Sequence, residues 1–131
     1  MQEHTIKKMI FLLAALALLP GCSTMSVKLG WVGNASPGHS EARFARFRGQ
    51  EVYTVRLEDG ESLVLRYSVE LEEGSLELRV LDGEDGVVWR EGFEAGGQGD
   101  ARIAAADAGW YNLVVAGDDA AGSFDLFWSV D

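Results

Sequence analysis

The feature that most constrains the fold is a two-residue period of apolar side chains, which recurs from Tyr53 to Val130. In segment 65–71, for example, apolar residues alternate with Arg66, Ser68 and Glu70. Side chains on a strand point to opposite faces in turn, so this period indicates strands with one buried face. An amphipathic helix would need apolar residues at three- and four-residue spacings, which these segments lack.

Turn-forming residues interrupt the alternation at short intervals: Asp59–Gly60, Glu73–Gly74 and the segments 82–86, 95–100 and 117–122. The interruptions divide the chain into seven or eight short strands, a pattern typical of small sandwiches. We therefore predict an all-β fold over residues 41–131. The architecture is an antiparallel β-sandwich of jelly-roll or Greek-key type, preceded by an N-terminal signal helix and a linker.

The first residues have the layout of an export signal. Lys7 and Lys8 precede an apolar run, Met9–Leu19, which ends at Pro20 and Gly21. A helix of this length reaches about 16 Å. That is about half of a hydrocarbon core of ~30 Å, so a permanent spanning helix is not expected. We interpret residues 1–21 as a cleavable signal peptide.

The segment Leu19-Pro20-Gly21-Cys22 resembles the lipobox of bacterial lipoproteins. The resemblance implies transfer of diacylglycerol to the Cys22 thiol and cleavage before this residue. It also implies acylation of the new amino group by a fatty acid such as palmitate. Two or three acyl chains anchor a protein firmly. Ser23 implies an outer-membrane destination where the cell has one, so we expect a lipid anchor outside the cytoplasm.

Residues 22–40 are rich in Ser, Gly and Asn, and we predict that they form a flexible tether between the lipidated Cys22 and the sandwich. Leu29, Trp31 and Val32 interrupt this composition. Two interpretations of them stay open: a short edge strand, or a position at the membrane interface, where Trp is favoured.

The formal net charge of −10 excludes most nucleic-acid-binding classes. Binding to phosphate backbones needs clustered Lys and Arg. Arg43, Arg46, Arg48 and Arg56 are close in sequence, but acidic and aromatic residues separate them. We expect them to lie on a solvated sheet edge.

Asp107, Gly109 and Tyr111 form an Asp-x-Gly-x-Tyr motif, which is found at the tyrosine corner of Greek-key sandwiches. In that corner the tyrosine hydroxyl bonds to backbone a few residues upstream. We therefore predict structural roles for these three residues and a buried ring for Tyr111.

Two further resemblances concern the sandwich. The segments Gly109–Val115 and Gly122–Leu126 resemble the closing strands of bacterial pre-peptidase C-terminal domains. Ser62–Tyr67 followed by Gly74–Leu76 resembles GOLD-type sandwiches. Both families imply a binding or accessory module, and neither brings catalytic residues to this chain.

The sequence offers little enzyme chemistry. Beyond the signal segment the only histidine is His39, which we place in the tether, and Cys22 is expected to be acylated. We therefore predict a non-enzyme without a cofactor and without a metal requirement for folding. An alternative stays open in the acidic loops Asp82–Asp85 and Asp118–Asp119, whose carboxylates could hold Ca²⁺.

A candidate binding patch consists of residues outside the main core pattern: Trp110, Phe127, Val114 and Val88. Exposed aromatic residues often mark contacts with partners. The alternative is that another segment, such as Leu29–Val32, covers them.

These observations favour a membrane-anchored accessory module that binds an envelope protein or polysaccharide. The second hypothesis is a structural or stress-related envelope protein without a discrete ligand, and the third is a hydrolase. A connected exposed aromatic patch would favour the first, and a cleft with convergent acids would favour the third.

Overall fold

The computed structural model describes residues 26–131; the signal peptide, Cys22 and Ser23 lie outside the described residues. Every strand pairing in this range is antiparallel. None of the described residues belongs to a helix that could cross a membrane. The strands are β1 (Val27–Leu29), β2 (Val32–Ser36), β3 (His39–Leu57), β4 (Ser62–Leu81), β5 (Val87–Phe93), β6 (Gly96–Ala104) and β7 (Gly109–Val130).

Strand β7 is the centre of the fold, because it pairs along nearly its whole length with β3 on one side and β4 on the other. These three long strands bend near their middles and pass from one layer of a sandwich to the other. The five-stranded layer has the order β2–β3–β7–β4–β6, and the four-stranded layer has the order β3–β7–β4–β5. The predicted antiparallel β-sandwich is thus confirmed.

The bends coincide with shifts in strand register. In β4 the register shifts between Leu71 and Ser75, and Gly74 has a φ of 71°, a left-handed conformation that suits glycine. In β7 a Cβ at Gly122 would collide with the carbonyl oxygen of Glu70. Backbone at the bend comes too close for any side chain, so glycine is required there.

Two predicted turns are wrong, because the chain at Glu73–Gly74 and at residues 117–122 does not reverse direction. Each segment continues one long strand across a bend. The pair Asp59–Gly60 does form a turn, with Glu61 N donating to Glu58 O at 3.1 Å. The turn links the end of β3, in the four-stranded layer, to the start of β4, in the five-stranded layer. Within each layer β7 lies between β3 and β4.

The core lies between the layers and draws buried side chains from both. Each long strand contributes: Phe44, Phe47 and Leu57 from β3, Leu63, Leu65 and Leu78 from β4, and Leu113, Phe124 and Leu126 from β7. Burying a side chain of this size contributes about 1.5–3 kcal/mol relative to leaving it exposed. Interleaved apolar residues from both layers therefore hold the bent sheet together.

The predicted tether at residues 22–40 is corrected from Val27 onward. Strands β1 and β2 lie in this segment and pair with the first half of β3. The Trp31 ring packs against Phe44, Phe47 and Phe124 at centroid distances of 5.6, 5.1 and 6.1 Å. This aromatic packing, together with backbone pairing, fixes the segment as the edge of the five-stranded layer.

A candidate binding groove on the five-stranded layer

The outward face of the five-stranded layer carries polar side chains in ordered rows. Inward residues such as Ser40 and Leu126 are buried, so their neighbours on each strand point outward. The strand register aligns one row as Ser36, His39, Phe127, Arg66 and Asp100, and the next as Asn34, Glu41, Asp125, Ser68 and Gln98. We call these two rows the Phe127 groove.

Phe127 and His39 form the aromatic centre of the groove. Their rings stack at a centroid distance of 4.0 Å and an interplanar angle of 3°. Phe127 remains 42% exposed. Its register partner on β4 is Arg66, so Phe127 is flanked in its row by His39 and Arg66.

Asp125 links the two rows. Its Oδ1 lies 2.6 Å from Nε2 of His39, and its register partner on β3 is Glu41. One donor atom from each of these three residues lies within 4.8 Å of the others. The arrangement could hold a metal ion, and all three side chains reach the same surface.

Two depressions, of about 510 and 460 Å³, meet at Ser68 and Asp125. The first extends toward β2 and includes Asn34 and Glu41. The second extends toward β6, where Phe127 forms part of the wall. The groove therefore crosses all five strands of the layer.

Tyr67 lies beneath the second depression. Burial raises the pKa of its hydroxyl, and the nearby Glu91 and Asp100 carboxylates raise it further. The hydroxyl lies so close to Gly99 on β6 that a Cβ there would be 2.7 Å from the oxygen. Glycine at this position lets Tyr67 fill the space under the groove.

The sequence-predicted patch does not form one surface. Phe127 lies on the five-stranded layer, whereas Trp110, Val88 and Val114 lie on the four-stranded layer. Trp110 is 58% exposed, and its ring faces Arg56 with 5.8 Å between the guanidinium carbon and the centroid. Leu29 and Val32, the proposed cover, are themselves exposed.

Val114 is corrected from exposed to buried, with 2% of its surface accessible. It points outward on the central strand of the four-stranded layer. Its cross-strand neighbours are Val52 on β3 and Arg79 on β4, which flank it on both sides. Strands on both sides cover a short side chain on a central strand, whereas Val88 on the edge strand β5 stays 45% exposed.

The Asp-x-Gly-x-Tyr motif lies at the start of β7. The Tyr111 ring is buried, and its hydroxyl donates a hydrogen bond of 2.8 Å to the carbonyl oxygen of Asp107. Gly109 is the first residue of β7. The bond ties the loop before the strand to the core.

The two acidic loops have internal partners. Oδ1 of Asp82 accepts hydrogen bonds from the backbone N–H groups of Glu84 and Gly86, each at 2.9 Å. Asp119 pairs with Arg46 and Arg48 at 2.9 and 2.8 Å. The hydrogen bond from Arg46 is the main cause of the lowered pKa of Asp119.

Sequence reasoning missed most of the groove: Asn34, Glu41, Arg66, Ser68, Gln98, Asp100 and Asp125. Alternation could identify these positions as outward, yet nothing in the sequence gives the register that aligns five strands. The sequence analysis also placed His39 in the tether, whereas this residue begins β3.

No protein-family model matches the chain, and no curated protein sequence matches it either. Among solved structures, a module described as CBM4 matches with a TM-score of 0.50 and 10% identity, over 79% of this chain and 78% of that one. A carbohydrate binding module of Cellvibrio mixtus lichenase 5A, in complex with cellotriose, matches at 0.46 and 15% identity, over 82% and 87% of the two chains. The pre-peptidase C-terminal domain of a Bacillus anthracis collagenase matches at 0.43 and 16% identity, over 80% and 88%. At 10% identity, the likeness to the CBM4 module is one of fold alone.

Proposed function

We propose that this chain is an exported, lipid-anchored accessory protein whose sandwich binds a polysaccharide of the cell envelope. The binding site is the Phe127 groove, and the protein binds the polymer without cleaving it. The observation that carries the proposal is the half-exposed Phe127 ring, which lies among carboxylate, amide and guanidinium side chains on one continuous groove.

The chemistry of the groove suits a sugar ring. The C–H face of a pyranose is apolar and packs against an aromatic face, as apolar groups do against Phe. Its hydroxyls both donate and accept hydrogen bonds. Asp125 accepts, Arg66 donates, and Gln98 does both. Small-molecule sites typically combine an aromatic contact with a few polar side chains of this kind.

The charge of the groove favours a neutral polymer. The two rows set one cation, Arg66, against the three carboxylates of Glu41, Asp100 and Asp125, so the groove itself repels polyanions. The chain as a whole carries a net charge of −10 and therefore repels polyanions. Neither the groove nor the chain as a whole repels an uncharged glycan in this way.

The fold adds support at the level of ligand class. The CBM4 module has a sandwich of this kind at a TM-score of 0.50. CBM denotes a carbohydrate binding module, and we bring that ligand class to this chain as part of the proposal.

Anchoring at Cys22 places the sandwich near the membrane. β1 begins at Val27, only a few residues after Cys22. An extended chain covers at most ~3.6 Å per residue, so this linker spans less than about 20 Å. A lipidated protein would thus hold the edge of the five-stranded layer close to the bilayer, within reach of wall polymers.

The test is affinity electrophoresis of the full chain in native gels that contain a soluble neutral polysaccharide. Hydroxyethylcellulose, a β-1,4-galactan and a β-1,3-glucan form the panel. We expect at least one to retard migration, and Phe127→Ala to weaken that binding about tenfold, as loss of a central aromatic contact does. Trp110→Ala, on the other layer, is the matched control and should leave retardation unchanged.

Three results would contradict the proposal. Migration that no polysaccharide of the panel retards would exclude neutral polysaccharides as the ligand. Retardation that survives Phe127→Ala but is lost in Trp110→Ala would move the site to the four-stranded layer. Release of reducing sugar from the retarding polymer would make the protein a hydrolase.

A further inference from the structure

Three side chains with metal-binding donors meet in the Phe127 groove. They are His39, Glu41 and Asp125, and one donor atom from each lies within 4.8 Å of the others. Nε2 of His39 and Oδ1 of Asp125 are already 2.6 Å apart. Tetrahedral bonds of 2.0–2.2 Å set donor atoms roughly 3.4 Å apart, so a bound ion would lie between His39 and Asp125 and replace their hydrogen bond.

The scaffold under these donors consists of paired strands. His39 and Glu41 are two residues apart on β3, so they share a face, and Asp125 is the register partner of Glu41 on β7. The His39 ring is further held by its stack on Phe127. Ligands on rigid neighbouring strands keep their geometry better than ligands on loops.

We propose that His39, Glu41 and Asp125 bind a divalent transition-metal ion, with Zn²⁺ as the representative ion. Two carboxylates and a neutral imidazole carry a total charge of −2, which balances a dication. The imidazole nitrogen favours Zn²⁺ over Ca²⁺ and Mg²⁺, which take oxygen ligands. Three protein ligands leave at least one coordination position open toward the groove.

This site is separate from the acidic loops. Asp82 already accepts two backbone hydrogen bonds, and Asp119 is paired with Arg46 and Arg48. The open position would face the space in which the proposed polysaccharide lies. Metal binding itself needs no carbohydrate, so the two proposals can fail separately.

The test is isothermal titration of the full chain with ZnCl₂ and, separately, with CaCl₂, without carbohydrate. We expect one Zn²⁺ per chain and binding of Ca²⁺ at least tenfold weaker. His39→Ala and Asp125→Asn should each weaken Zn²⁺ binding about tenfold or more, because loss of a ligand costs at least as much as loss of its supporting partner. Thermal melts verify that both variants fold.

Three controls remove other donors of the chain: His4→Ala, Cys22→Ser and Asp118→Asn. Each should retain the Zn²⁺ affinity of the unaltered chain. Absence of a stoichiometric Zn²⁺ isotherm would overturn the proposal. So would Zn²⁺ binding that survives His39→Ala, or Ca²⁺ binding as tight as that of Zn²⁺.

Discussion

Trp110 and Phe127 lie on the same strand, β7, but point to opposite sides of the sandwich. β7 bends between Asp118 and Gly122, and the inward positions change from odd to even residue numbers across the bend. Tyr111 is therefore buried in one layer and Leu126 in the other. The two exposed aromatic residues belong to separate surfaces, so substitutions of each should act independently.

We predict that Tyr111→Phe lowers the free energy of unfolding by about 1 kcal/mol, because it deletes the hydrogen bond to Asp107 and keeps the ring. Tyr111→Ala also opens a cavity and should cost ~3–5 kcal/mol. Denaturant melts of both variants measure the difference. Equal stability of Tyr111→Ala and the unaltered chain would rule out a structural role for this corner.

The burial of Val114 makes a second prediction. Val114→Ala removes two buried methyl groups and should cost about 1–2 kcal/mol, at ~0.8 kcal/mol for each group. Val88→Ala, at an exposed position on edge strand β5, should change stability by less than about 0.5 kcal/mol. Thermal unfolding of the two variants measures the difference. Equal melting temperatures would mean that Val114 contributes no more to stability than a surface residue.

A third prediction concerns acid stability. Arg46 and Arg48 lower the pKa of Asp119 below its ordinary value of 3.8. The folded chain therefore favours the carboxylate, and the pair contributes stability above about pH 4 that is lost as the pH falls through the folded-state pKa. Asp119→Asn should be less stable than the unaltered chain at pH 7, and the gap should narrow by pH 3. A stability difference between Asp119→Asn and the unaltered chain that grows in acid would contradict stabilisation by these two ion pairs.

The fourth prediction concerns processing at Cys22, which lies outside the described residues. Mass spectrometry of membrane-extracted protein should find residues 1–21 absent and a diacylglycerol adduct on Cys22. Cys22→Ser should shift the protein from the membrane fraction to the soluble fraction. An intact N-terminus or a free Cys22 thiol in the extracted protein would argue against the lipobox interpretation.

Alternation was enough to predict which residues of the long strands face inward. The predicted inward residues Leu65, Tyr67 and Val69 on β4 are buried, as are Tyr111 and Leu113 on β7. The signal is strong because a one-residue slip would expose every apolar side chain of a strand. The sequence alone therefore shows which residues of these strands face the core.

Bends and turns could not be told apart. Glycine at Gly74 permits a left-handed backbone, and both a hairpin turn and a bulged bend use that conformation. Only the partner strand decides, because β7 pairs with β4 on both sides of Gly74. For the same reason the sequence could not place Phe127 and Trp110 on different layers.

The edge strands were hidden by composition. Residues 32–36 read Val-Gly-Asn-Ala-Ser, which is typical of a loop. Their pairing with β3 and the packing of Trp31 on Phe44 outweigh that weak local preference. Asn34 and Ser36 on this edge end the two rows of the groove. The groove therefore could not be predicted from the sequence either.

The most direct test of the central claim, that the Phe127 groove is the binding face, is two-dimensional NMR of the ¹⁵N-labelled full chain. The ligand is the oligosaccharide of whichever polysaccharide retards the protein. We predict that the largest amide shift changes fall on β7 residues 123–129, β4 residues 64–70 and β6 residues 98–102. Amides around Trp110 should stay in place. Changes centred on Trp110 and Val88, with the Phe127 groove unaffected, would contradict the account.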